Sequence, residues 1–211
     1  MSASVGSSTE VADPAKEAES FLSTRLGLMT LVLLCAVQFL DVVDASIVNV
    51  ALPSIQHGLH FSQQNLQWVL SGYVLTYGGF LLLGGRAADL LGRRRVLIAG
   101  VILFALCSLA GGLATNGSTL IAARLVQGIG AALMAPAALS LVTTYFKEGV
   151  DRHKALGAWG AISGLGAAAG VFFGGVLSEG PGWRWVLYVN IPFCALILVG
   201  IFRLLDGERP A

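Results

Sequence analysis

The stretch LGLMTLVLLCAVQFLDVVDASIVNVAL, residues 26–52, decides the fold. It is almost wholly apolar and exceeds the roughly 20 residues that a helix needs to cross a bilayer. Its only charged residues are two aspartates, Asp41 and Asp44. Five more apolar segments follow, at about 66–85, 96–114, 118–142, 155–178 and 185–205. The connections are short, so neighbouring helices run antiparallel and six spans bring both ends of the chain to one side. The fold class read from this pattern is an all-α membrane protein with six transmembrane helices.

Composition agrees. Hydrophobic residues make up 55% of the 211 and charged residues 12%, against about 25% charged in a soluble domain. That leaves too few charges to cover a water-facing surface, which excludes a soluble enzyme or a nucleic-acid-binding domain. A net charge of +1 points to no polyanionic partner. The 27 glycines fall largely inside apolar runs, as expected of helices packed closely in lipid. Cys35, Cys107 and Cys194 lie far apart with no metal-ligand spacing. No metal or cofactor is expected. No phosphate-binding loop of the G-x-x-x-x-G-K-[ST] type occurs. His57 and His60 are read as residues of a short outer loop, and His153 of a cytoplasmic one.

Charge asymmetry orients the bundle. Of 13 Lys and Arg, eleven fall in the tail, the second-to-third and fourth-to-fifth connections and the chain end: Lys16, Arg25, Arg86, Arg93, Arg94, Arg95, Lys147, Arg152, Lys154, Arg203 and Arg209. Arg184 alone belongs to the opposite face, and Arg124 lies inside a span. The positive-inside rule makes both termini cytoplasmic, and Trp68, Trp183, Trp185 and Tyr188 then fall at outer ends as an aromatic belt. Residues 1–25 read as a disordered cytoplasmic tail, 26–205 as the six-helix bundle and 206–211 as a cytoplasmic end.

Three ionisable residues sit within the spans: Asp41, Asp44 and Arg124. An ionised side chain at a helix centre costs about 2.5–3.5 kcal/mol on the insertion scale, so each is a candidate functional residue. Asp41 and Asp44 are three apart and share one helical face. Two carboxylates so close in a low-dielectric setting disfavour joint ionisation, which suits a group that takes up and releases protons. Arg124 lies a turn or two into its helix. It either snorkels to the outer interface or faces an internal polar cavity and pairs with an aspartate. Gln127, at i+3, offers an amide on the same face.

Five motifs in order carry a resemblance to the drug:proton antiporter group of the major facilitator superfamily, whose members have 14 transmembrane helices. Asp44-Ala-Ser-Ile-Val-Asn-Val-Ala-Leu-Pro53 is similar to its L-D-x-T-x-V-N-V-A-L-P pattern. Val43 replaces the Leu and Ser46 the Thr, and Asp41 has no counterpart. Gly85-Arg-Ala-Ala-Asp89-Leu-Leu-Gly92-Arg93-Arg94-Arg95 resembles the G-x-L-a-D-r-x-G-r-k-r loop, with Ala87 for Leu and Leu90 for Arg. Asp89 there is suited to cap the next helix or pair with Arg93. The resemblance implies a gating latch against a second half, formed by Gly85, Asp89, Gly92 and Arg93.

Leu120-Ile-Ala-Ala-Arg124-Leu-Val-Gln127-Gly128-Ile-Gly130 resembles the l-x-x-x-R-x-x-q-G-x-g motif, whose arginine is implicated in proton coupling. Gly157, Gly166, Gly170, Gly174 and Gly175 follow the antiporter pattern G-x8-G-x3-G-P-x2-G-G at every glycine, but Val171 stands where proline is expected. That loss puts the motif's kink in doubt. Gly166, Gly170 and Gly174 also form a small-residue packing stripe. Finally, Trp183-Arg-Trp185-Val-Leu-Tyr188-Val-Asn190-Ile-Pro192 resembles the W-R-W-x-F-x-x-N-x-P entrance to the sixth helix, read here mainly as an interfacial anchor.

The resemblance covers the N-terminal half of the family's pattern. It implies a non-enzymatic, proton-coupled efflux antiporter of hydrophobic or cationic drugs or antibiotics in the cytoplasmic membrane. Asp44, Arg124 and Asp41 would be its proton-coupling residues. Its implied partners are the small-molecule substrate, protons, membrane lipid and a second six- to eight-helix half or a second copy, with no nucleic acid. The alternative is a non-transporting membrane remnant or assembly partner.

Overall fold

The computed structural model describes residues 21–205. Seven α-helices follow a short 3-10 turn at Phe21–Ser23: α1 Arg25–Leu59, α2 Gln63–Leu91, α3 Arg93–Gly112, α4 Gly117–Tyr145, α5 Val150–Glu179, α6 Arg184–Tyr188 and α7 Asn190–Leu204. Six units are long and apolar enough to cross a membrane, α6 and α7 counting as one. The six-span reading holds, and no strand occurs among the described residues.

Local chemistry sets the helix ends. The hydroxyl of Thr24 accepts from the Gly27 N–H at 3.0 Å and opens α1, while the Asn116 carboxamide accepts from the Thr119 N–H at 2.9 Å and opens α4. α1 continues past Pro53 to the left-handed His60 (φ 53°). It is therefore 35 residues long, about 50 Å at 1.5 Å per residue, more than the hydrocarbon core requires. His57 lies in its last turn and not in a loop. α2 and α3 are separated by one residue, Gly92, whose φ of 94° a side chain would strain. The break between α6 and α7 has its cause in Pro192, which removes the bond from position 192 to the Tyr188 carbonyl.

The first described residues precede the expected tail boundary. Phe21 stacks on Tyr145 at 6.3 Å and tilts against Phe146 at 5.7 Å, and the Leu22 N–H donates to Asp151 at 3.3 Å. Residues 21–25 are thus held on α4 and α5. Residues 1–20 and 206–211, the remainder of the predicted tail and end, lie outside the described residues.

Three pairings organise the bundle: α2 on α4, α3 on α4 and α1 on α5. Each is made close by glycine. A side chain at Gly84 would strike the Ala132 carbonyl, and that carbonyl is free of its helical bond because Pro136 supplies no N–H. Gly100 and Gly130 face each other between α3 and α4. On α5, Gly166, Gly170 and Gly174 seat on the α1 backbone around Phe39, Val43 and Ile47, so the packing stripe is present as read. Gly157 and Gly175 have open space beside them. α5 is continuous through Val171, which is exposed.

Candidate functional site

The centre of the bundle holds a charge cluster in which Asp44 from α1 meets Arg124 from α4. Arg124 Nη1 donates to Asp44 Oδ2 at 2.6 Å, and both side chains are 0% exposed. Of the two placements open to Arg124, the structure thus adopts the internal one. Its Nε donates to the Val69 carbonyl of α2 at 3.3 Å, and its guanidinium carbon lies 4.2 Å over the Tyr73 ring. Nη1 also donates to Gln127 Oε1 at 2.8 Å. The i+3 spacing read from the sequence brings this amide to the site.

A buried ion pair stands only when its remaining lone pairs and protons are satisfied. Two neutral residues do this for the Asp44 carboxylate, while Arg124 Nη2 and Asn190 Oδ1 are left without a hydrogen-bond partner among the described residues. Asp44 Oδ1 accepts from Gln127 Nε2 at 3.0 Å and from Asn190 Nδ2 at 2.6 Å. Both amides also donate to Ser108 Oγ, at 3.0 and 2.9 Å. The Asp44 carboxylate therefore ties α1 to α4 and α7, and Ser108 of α3 joins through the same two amides. An apolar cavity of about 120 Å³, walled by Phe39, Phe173 and Phe193, lies against Asn190.

Asp41 is in a different setting. It is half-buried and makes no ion pair among the described residues. Tyr73 Oη donates to its Oδ1 at 2.7 Å. Tyr77, half-buried, stacks parallel to Tyr73 with ring centroids 6.1 Å apart. Gln38, Asp41, Ala45 and Asn49 recur at helical spacing on one face of α1, and each is at least partly exposed. Polar residues at that depth face a bundle interior or a water-filled cavity rather than lipid.

The other singled-out residues divide. Gly92 makes the turn between α2 and α3, and Arg93 donates to the Thr144 hydroxyl on α4, fastening that turn to its neighbour. Asp89 is exposed and neither caps α3 nor pairs with Arg93, because the intervening Gly92 takes the N-cap position. Gly85 lies beside Pro136. The aromatic residues expected to form a belt also divide. Trp68 and Trp185 are exposed, whereas Trp183 is buried and occupies the space left by Gly58. Trp183 is thus a packing residue, with the Arg184 guanidinium carbon 4.6 Å over its ring.

Sequence reading missed Asn190, Ser108 and Tyr73 as members of the cluster. Asn190 was visible as a polar residue at the entrance to an apolar helix, but its partner lies on the first helix. Ser108 and Tyr73 carried no signal beyond being polar groups inside apolar segments.

A family model described as Major Facilitator Superfamily matches residues 34–211. The puromycin resistance protein pur8 of Streptomyces alboniger is 51% identical over 179 residues, covering 85% of this chain and 35% of that protein. The cephamycin export protein CmcT of Amycolatopsis lactamdurans is 46% identical over 88% of this chain and 38% of its own length. The lincomycin resistance protein of Streptomyces lincolnensis is 39% identical over 92% and 40%. The chain thus spans between about a third and two fifths of the length of these relatives. Among solved structures, the peptide transporter POT (E310Q mutant, in complex with sulfate) superposes with a TM-score of 0.73 at 18% identity, over 82% of this chain and 37% of that one. This likeness concerns the fold. The relatives are named for resistance and export rather than for catalysis, and with six apolar helices this is a multi-pass membrane protein. The chain belongs to the Major Facilitator Superfamily.

Proposed function

We propose that the chain is the N-terminal part of a proton-coupled exporter of hydrophobic or cationic drugs, of the group with 14 transmembrane helices, with both of its ends cytoplasmic. The observation that carries the reading is the fully buried Asp44–Arg124 pair, closed by Gln127, Asn190 and Ser108. Resistance and export relatives support it.

The chemistry follows from the contacts. A proton on Asp44 cancels the attraction to Arg124, while the guanidinium keeps Gln127 Oε1 and the Val69 carbonyl as acceptors. The grip between α1 and α4 then weakens, and an inward–outward rearrangement shifts in population. Asp41 is the second proton-binding group, on the accessible side. The Gly85–Arg93 turn acts as a latch towards a second six- to eight-helix half or a second copy. The open face at Gly157 and Gly175 lies on one of the two least buried spans, α5, and is available to that partner.

Everted membrane vesicles containing the chain together with a second half provide the test. A proton gradient should drive ethidium accumulation that collapses with nigericin and is lost in Asp44→Asn and Arg124→Ala. Accumulation that is absent in the native protein, or unchanged in both variants, would overturn the proposal.

A further inference from the structure

Between α1 and α7 runs an apolar groove of about 430 Å³ that opens on the surface of the bundle. Gly200 shapes it. A Cβ there would lie 2.6 Å from Leu33 Cδ1, so the missing side chain lets Leu33 settle against α7 and share the floor with Ile197. Both floor residues are buried, whereas Val32 and Leu196 on the two walls are exposed. Apolar walls are ordinary in lipid, but one end of this groove is not apolar. The two helices run antiparallel, so Leu28 and Leu204 share that end. Arg25 stands three residues before Leu28, on the same face of α1. Arg203 stands seven residues after Leu196, on the same stripe of α7. Both arginines are exposed, and neither forms an ion pair among the described residues.

We infer that the groove is a binding site for an anionic phospholipid, with one acyl chain along α1 and α7 and the headgroup phosphate at Arg25 and Arg203. Charge complementarity selects this occupant. The walls take the chain, and the phosphate supplies the negative charge that the two arginines lack. Basic pockets between membrane helices hold anionic headgroups in this way. A zwitterionic lipid brings its own ammonium, which two guanidinium groups repel. A second copy of this chain, laid on the groove by a two-fold axis along the membrane normal, would set the arginine pair against an identical pair. Arg94 is not part of the site. It lies 5.4 Å over the ring of Phe202, which is not a groove residue.

The site needs neither proton coupling nor a second half, so it and the export reading fail separately. The full chain in a neutral detergent is titrated with phosphatidylglycerol and with phosphatidylcholine of the same acyl chains, and the first bound lipid is followed by native mass spectrometry. Phosphatidylglycerol should bind about tenfold tighter. Arg25→Gln combined with Arg203→Gln should erase that preference. Arg95→Gln, which removes an exposed arginine at the start of α3, should change it less than about twofold. Gly200→Leu, which fills the groove, should weaken both lipids, and Val32→Trp on the exposed wall gives the same block if Gly200→Leu lowers the thermal melt. Glycerol phosphate, the headgroup without chains, should not compete. Equal affinity for the two lipids overturns the site, as does a preference that survives the double arginine variant. An equal loss in Arg95→Gln also overturns it, since diffuse surface charge would then suffice. Competition by glycerol phosphate, unchanged binding in both groove variants, or a dimer that excludes lipid and is abolished by those variants, overturns it too.

Discussion

Asp41 and Asp44 stand one turn apart on α1, yet their surroundings share little beyond Tyr73 and Arg124. Asp44 is fully enclosed, holding one guanidinium and two carboxamides drawn from α4 and α7. Asp41 holds two phenols from α2, those of Tyr73 and Tyr77, and no cation among the described residues. A shift of three residues along a helix turns the side chain by about 60° from its neighbour. That is enough to separate the interior of the bundle from its accessible face. Burial and partner charge, rather than the carboxylate itself, separate the two residues.

The largest break in this comparison comes from Arg124→Ala. It leaves Asp44 buried without its cation, and loss of one partner of a buried pair costs about 3–5 kcal/mol. A fall of that size in unfolding free energy, measured in detergent with denaturant, is expected. Replacing Asp44 and Arg124 together by leucine should recover most of the stability, since an apolar pair of similar volume is often neutral, while proton-driven ethidium movement stays abolished.

Gly128→Ala comes next. It thrusts a methyl group at the Tyr73 carbonyl and the Thr76 hydroxyl, and overpacking of this kind costs about 1–3 kcal/mol. Tyr73→Phe keeps the ring under Arg124 and removes one partly buried hydrogen bond, a loss of about 1 kcal/mol. Asp41→Asn, which keeps an acceptor for the Tyr73 hydroxyl, should change stability least, within about 0.5 kcal/mol.

Much of this was legible in the chain. Hydropathy found all six spans, because lipid burial depends only on local composition. The cost of charge in a membrane singled out Asp44 and Arg124, and the i+3 rule placed Gln127 beside Arg124. The partners from distant helices were not legible. Asn190 and Asp44 are 146 positions apart, and only the packing of α7 between α1 and α3 makes them neighbours. Trp183 was misread because an aromatic near a span end is apolar whether it faces headgroups or a glycine gap. The spacing of four already set Gly166, Gly170 and Gly174 apart as a packing stripe, but not which helix they seat on, nor the open space beside Gly157 and Gly175.

The central claim is that Asp44 is matched to Arg124, whereas Asp41 is held by neutral phenols alone. A double-mutant cycle on unfolding free energy, using Asp44→Asn, Arg124→Gln and the double variant, measures it directly. A coupling of about 2–3 kcal/mol between the two positions is expected. The same cycle with Asp41→Asn in place of Asp44→Asn should give less than about 0.5 kcal/mol. Equal coupling of both aspartates to Arg124, or additive losses at Asp44 and Arg124, would contradict the account.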